Sequence, residues 1–156
     1  MTQLSERKLA LDILLKVKIE NEAVGFSLNR SFGAQKSLEK RSRAFITHLV
    51  YGTLENLIQL DYIIDKFSKI PVKKMRPQVA TILEMSVYQL MFLDNVPASA
   101  VCNEAVKIAS KLRLDSLKAF INGVLRNIVR NIDYIEFPDI DREPVKGISI
   151  RYSIPE

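Results

Sequence analysis

An all-α fold follows from three features of the 156-residue sequence. Leu, Ile and Lys are the commonest residues, Ala and Glu are well represented, and there are only five glycines and six prolines, a balance that favours helices over a turn-rich sheet protein. Apolar residues recur at three- and four-residue steps through most of the chain, the period of an amphipathic helix. Thr–Val–Ile alternation, the mark of half-buried strands, is scarce. A hydrophobic content of 47% is enough to fill one core of ordinary size.

The first helix is predicted from Ser5 to about Glu20, with Leu9, Ile13 and Val17 on a stripe beside Ala10 and Leu14. Ser5 supplies an N-cap, and Arg7, Lys8, Lys16 and Lys18 point away from the stripe. Residues 21–35, with Gly25 and Gly33, read as a short helix bracketed by loops. A stronger pattern begins near Ser37, where Phe45, Ile46, Leu49 and Val50 form a stripe and Lys40, Arg41 and Arg43 crowd the first turns. Positive charge there opposes the helix dipole at a cost of a few tenths of a kcal/mol per residue, a local conflict that points to a function.

Gly52 is read as a bend, after which Leu54, Leu57, Ile58, Asp61, Ile64 and Phe67 carry a fourth helix towards Pro71. Lys66, Lys69, Lys73, Lys74 and Arg76 follow with no acidic residue between them, and Pro77 opens a fifth helix. From Val79 to Leu93 apolar residues occupy almost every face, Glu84 and Gln89 excepted, which places that helix in the middle of the bundle. Pro97 opens a sixth helix on Val101, Ala105, Ile108 and Leu112. A seventh, from about Asp115 to Asn131, turns Leu117, Ile121, Val124, Leu125 and Ile128 inward and sets Lys118, Asn122, Arg126 and Arg130 on a basic ridge. Beyond Asn131 six acidic residues face three basic ones, and Pro138, Pro144, Gly147, Pro155 and a β-leaning Ile148–Ile154 run predict an extended linker. The division is therefore a helical domain over 1–133 and a linker over 134–156.

Composition narrows the chemistry. A formal charge of +5 makes polyanions natural partners, because basic groups displace condensed counterions from phosphate backbones. One cysteine and one histidine exclude an intramolecular disulfide framework and leave too few soft ligands for a zinc site, so no metal is expected and a reducing, cytoplasmic setting fits. No apolar run reaches the ~20 residues of a membrane span, and Met1 through Lys8 leads into no signal-peptide core. The five glycines lie too far apart for a phosphate-cradling loop. Cys102 with His48 is the one nucleophile–base combination on offer, and both read as packing residues, the cysteine buried and the histidine half-buried. Asp61 and Asp65, one turn apart, read as a solvated face. No catalytic residue is assigned.

Four spaced motifs carry a resemblance. Leu49-Val50-Tyr51-Gly52-Thr53-Leu54, Tyr88-Gln89-Leu90 with Val96-Pro97, Asn103-Glu104-Ala105-Val106, and Phe120-Ile121-Asn122-Gly123-Val124-Leu125-Arg126 together resemble the NusB-like domain family over nearly all of the helical part. The resemblance implies a bundle of about seven helices. The family has two branches: free-standing transcription antitermination factors that bind RNA and a ribosomal protein, and N-terminal domains of bacterial 16S rRNA cytosine-C5 methyltransferases of the RsmB (Sun, Fmu) type. Val50-Tyr51-Gly52-Thr53-Leu54, Leu125-Arg126-Asn127 and Arg151-Tyr152-Ser153-Ile154-Pro155 look like the second branch. Lys40 and Glu55 depart from the family pattern, which usually has an acidic and a basic residue at those places.

On the second branch, the resemblance implies a domain that positions rRNA and performs no chemistry itself. S-adenosylmethionine and a catalytic cysteine would belong to a methyltransferase domain following in cis, and Cys102 lacks that cysteine's proline-cysteine context. No cofactor is expected in this chain. With the basic clusters, this reading puts phosphate contacts on Arg7, Lys8, Arg41, Arg43, Arg126 and Arg130. A bundle groove that takes a protein partner is a further possibility.

Overall fold

The computed structural model describes residues 3–156, with side chains from Glu6 onward; Met1 and Thr2 lie outside the described residues. Its helices are α1 (Gln3–Glu20), α2 (Val24–Ala34), α3 (Lys40–Glu55), α4 (Leu57–Phe67), α5 (Pro77–Phe92), α6 (Ala98–Lys111), α7 (Lys118–Arg130) and α8 (Pro144–Tyr152). Single 3-10 turns occupy Val72–Lys74, Asp115–Leu117 and Ile132–Tyr134, and no strand occurs among the described residues. Ser5, expected as a cap, falls inside α1, and its side chain is not among those described.

The central position of α5 is as its composition demands. Every residue from Val79 to Gln89 is buried, and α1, α3, α4, α6 and α7 all pack on it. The two polar exceptions are answered by α1, whose inward face includes basic residues that periodicity alone sets outside it. Arg7, 2% exposed, donates from Nε to Gln89 Oε1 at 2.7 Å, and Lys18 pairs with Glu84 while donating to Thr81 Oγ1 at 3.0 Å. Arg7, Leu11, Leu14 and Lys18 share one helical face, so their long stems cover apolar surface while their heads satisfy groups that burial would otherwise strand.

Asp61 is also misplaced by the solvated-face expectation. It sits beside Glu84, its buried Oδ1 meets no donor, and burial, with Glu84 adding to it against the opposing pull of Lys18, pushes its carboxyl from 3.8 up to about 9. Two carboxyls in one buried contact are tolerated when one keeps its proton. Asp65, by contrast, is exposed and accepts the Val72 N–H at 2.8 Å.

A carboxyl whose folded pKa is raised contributes stability that is complete below its unfolded pKa and is lost as pH rises through the folded one. The window here runs from about pH 4 to about pH 9. Asp61→Asn keeps a neutral hydrogen-bonding side chain, so its unfolding free energy should gain on the parent's between pH 5 and pH 9, by at least about 1 kcal/mol across the range. Thermal melts at three pH values check this, and a pH-independent difference would show that Asp61 is ionised in the fold.

Gly52 does not bend the chain. α3 runs through it to Glu55, and the break comes at Asn56, whose backbone N–H and Nδ2 both donate to Gly52 O. The glycine is there because the Tyr88 ring of α5 lies on it: a Cβ would sit 2.1 Å from Tyr88 Cζ.

Of the predicted linker, 135–143 and the last four residues stay non-helical, while 144–152 coil into α8. Pro144 takes the first helical turn, where its missing N–H costs nothing. Gly147 fits because the backbone of Pro138–Ile140 passes against it, with Pro138 O and Ile140 Cα both 3.0 Å from where a Cβ would stand. The tail lies along α4: Tyr62 donates to Glu136 O at 3.2 Å and packs its ring on Phe137, while Ile150 and Ser149 are buried. Tertiary packing thus overrides the β-leaning composition of 148–154.

Candidate functional site

Two grooves flank α6. One lies between α6 and α7, has a volume of about 480 Å³, and is lined by Asn103, Val106, Lys107, Lys118, Ala119, Asn122 and Arg126. Three of the four ridge residues predicted on α7, Lys118, Asn122 and Arg126, face into it because they repeat every fourth residue of one helix. Arg126 is held across the groove, donating from Nε to Asn122 Oδ1 at 3.3 Å and from an η nitrogen to Asn103 Oδ1 at 3.2 Å. Two oriented amides thus fix the direction of the guanidinium while leaving donors for a ligand.

The second groove, about 510 Å³, lies between α1, α3 and the α5–α6 connection, and is lined by Glu6, Arg7, Arg41, Phe45, Asn95 and Val96. The Arg7 guanidinium covers the Phe45 ring at 5.3 Å. Burial pushes the Arg7 guanidinium down in pKa, with Glu104 and Glu6 pushing it back up. Neighbouring residues of α6 therefore connect the two grooves, Asn103 through Arg126 and Glu104 through the field it exerts on Arg7. Glu104 also pairs with Lys107 at 3.6 Å.

Arg41 enters the second groove from the first turn of α3, which has no acidic residue and no side-chain cap. The positive end of that helix dipole and the arginine point at the same space, an arrangement that favours an anion and explains the local charge conflict in the sequence.

The six arginines and lysines singled out in the sequence separate accordingly. Arg41 and Arg126 reach the grooves from exposed and half-buried positions. Arg7 lines the second groove but is buried, which corrects its reading as a surface contact: its guanidinium is spent on Gln89 and Phe45 and serves to hold the groove wall. Lys8 is half-buried and engaged by Asp12 at 2.7 Å. Arg43 is exposed, but two residues from Arg41 it turns to another side of α3, and Arg130 is exposed one turn beyond the groove that Arg126 lines. Lys66 to Arg76 lie at the far end of α5 from Asn95, about 24 Å away by the length of that 16-residue helix, so the basic clusters do not converge on one spot. Lys107, Phe45 and Asn95 line the grooves without having been singled out; Asn103 and Val96 had surfaced only as parts of motifs.

Cys102 and His48 do not assemble. The thiol is fully buried and burial raises its pKa, Arg126 offsetting this in part, whereas His48 is exposed on α3 rather than half-buried, its ring 6.0 Å from that of Tyr88. Among the described residues no cluster of His, Cys, Asp or Glu suits a metal, and no helix is long and apolar enough to cross a membrane.

Fold and site together define a small helical bundle with two separate grooves, each of which carries an arginine. The four motifs meet in pairs, Gly52 with Tyr88 and Asn103 with Arg126. The chain belongs to the NusB family, which matches residues 4–130.

Relatives of two kinds are similar to it. A probable ribosomal RNA small subunit methyltransferase B from Bacillus subtilis is 36% identical over all 156 residues, and this chain spans 34% of that protein's length. The transcription antitermination protein NusB from Pelotomaculum thermopropionicum is 31% identical over 94% of this chain and 98% of its own. Among solved structures, the antitermination factors NusB and NusE in complex with double-stranded RNA include a chain of the same fold, with a TM-score of 0.74 and 20% identity over 83% of this chain and 98% of that one.

Proposed function

We propose that this chain is the RNA-binding, substrate-positioning N-terminal domain of an S-adenosylmethionine-dependent 16S rRNA cytosine-C5 methyltransferase acting in the cytoplasm. The observation that carries the RNA part is the pair of grooves that aim Arg41, Arg126, Lys107 and Lys118 outward from a rigid frame. In this reading the arginines hold phosphates and fix the register of the RNA, and half-buried Phe45 with Asn95 offers a ring edge and an amide to an unstacked base. The methyl donor and the attacking cysteine belong to the domain that follows, which reaches a flipped base while this one holds the strand. The methyltransferase part is supported by the Bacillus subtilis relative, similar through the last residue of this chain.

A second reading is a free-standing antitermination factor, favoured by the Pelotomaculum thermopropionicum protein, which the chain nearly covers. The genomic frame after the Glu156 codon separates the two: an open frame encoding a methyltransferase domain supports the first, and a stop codon supports the second. RNA binding itself is tested by titrating a 16S rRNA fragment at two salt concentrations. With three to four phosphate contacts on single-stranded RNA, affinity should fall roughly 15- to 50-fold from 50 to 200 mM salt. Undetectable or salt-independent binding overturns the reading.

A further inference from the structure

The face of α8 turned away from α4 is apolar and unoccupied. Val145, Ile148 and Tyr152, spaced as one side of a helix, are 63%, 41% and 65% exposed, and Ile154 beyond them is 51% exposed. α8 is nonetheless firmly placed. Gln59 of α4 donates from its backbone N–H to Ser153 Oγ at 3.0 Å and from Nε2 to Arg151 O at 2.9 Å. Ser153 takes a left-handed conformation, φ 54°, so that the Ile154 N–H returns to Ser149 O at 2.9 Å. That cap reverses the chain and lays Ile154 and Pro155 beside Val145 and Ile148, around a hollow of about 200 Å³ whose rim Glu156 completes.

We propose that this face is the seat on which the domain following residue 156 docks in cis, making α8 a rigid bracket between RNA-positioning and catalytic parts. The inference rests on the methyltransferase reading above. Two observations select this occupant over others. The chain leaves the bundle at the hollow itself, so whatever follows Glu156 starts in contact with the patch, at the high effective concentration that a short tether gives. The Bacillus subtilis relative, of which this chain is 34%, is also similar across the whole of α8, so the bracket belongs to the region shared with a much longer protein. An apolar helical face with a tyrosine at its margin suits a partner surface that is itself apolar at the centre and polar at the rim.

The test uses the full-length product of the gene, carrying Val145→Glu with Ile148→Glu, and Lys146→Glu as a control for added negative charge at an exposed position of the same helix. Hydrogen exchange is followed over residues 144–154, together with protease cleavage just beyond residue 156. The double variant should exchange and be cleaved at least tenfold faster than the parent, with Lys146→Glu unchanged and RNA affinity of the grooves retained. Parent-like protection in the double variant overturns the docking while leaving the methyltransferase reading intact. A stop codon directly after Glu156 removes both. Concentration-dependent dimerisation of the 156-residue chain, abolished by the double substitution, would instead assign the face to a second copy and overturn the proposal.

Discussion

Gly52→Ala is expected to destabilise the fold by about 2–3 kcal/mol, because the methyl group must enter space that the Tyr88 ring fills. The new Cβ would stand 2.1 Å from Cζ, 2.2 Å from Oη and 2.5 Å from Cε1. Tyr88 has little room to yield: it is 5% exposed, stacks on Phe92 at 5.2 Å, and abuts His48. Helix propensity works in the opposite direction, since alanine is better than glycine inside a helix by up to about 1 kcal/mol, so the expected loss is the clash reduced by that gain. Urea denaturation should show a lower midpoint with an unchanged slope. Trimming the ring in a Gly52→Ala, Tyr88→Leu double variant should recover part of the loss, and the resulting coupling locates the effect in this contact. A neutral or stabilised Gly52→Ala would mean that the Tyr88 ring yields to the added methyl and does not dictate the glycine.

That contact also indicates how far the sequence could be read. Periodicity gave seven helices and the central place of α5, because a stripe or an all-round apolar face leaves few alternatives once the chain is helical. It could not give the reason for Gly52, which depends on a ring 36 residues away, nor the existence of α8, whose Gly147 and β-branched residues are tolerated by what packs on them. Helix ends were similarly opaque. Asn21, Arg113 and Ser153 adopt the left-handed conformation that a glycine would have advertised, at a cost of about 1–2 kcal/mol each that the returning hydrogen bonds offset.

Charged residues inside the bundle left a fainter signal that could have been followed. Glu84 and Gln89 stood out as polar positions in an otherwise apolar helix, and Arg7 and Lys18 fall in register with Leu11 and Leu14 on α1. Polar residues on two core faces imply partners for each other, and Arg7 with Gln89 and Lys18 with Glu84 are those partners. Long aliphatic stems let a basic residue sit on a core face, which hydropathy alone does not show. Whether the six basic residues share a face is likewise not legible from composition, whereas helix geometry sends Arg41 and Arg43 to different sides and leaves Arg130 outside the groove of Arg126.

Charge reversal measures that distinction. In the proposed RNA-positioning role, Arg41→Glu with Arg126→Glu should weaken binding of a 16S rRNA fragment by at least about a hundredfold at moderate salt, because two charge-assisted phosphate interactions worth roughly 1.5–3 kcal/mol each are replaced by repulsion. The slope of log affinity against log salt should become shallower by about 1.4, about 0.7 for each phosphate no longer neutralised. Arg43→Glu with Arg130→Glu changes net charge by the same amount from outside the grooves, and should cost clearly less, since these exposed side chains make no direct phosphate contact and act only through a field that salt weakens. Stability should change little in the first pair, because Arg41 is exposed and the Arg126 bonds to Asn122 and Asn103 lie at a half-open surface, so melting curves exclude unfolding as the cause. Equal losses from the two pairs would mean that RNA responds to the overall +5 charge of the chain and not to its grooves. The grooves would then be incidental, and the buried Arg7 that shapes one of them would have only its packing role against Gln89 and Phe45.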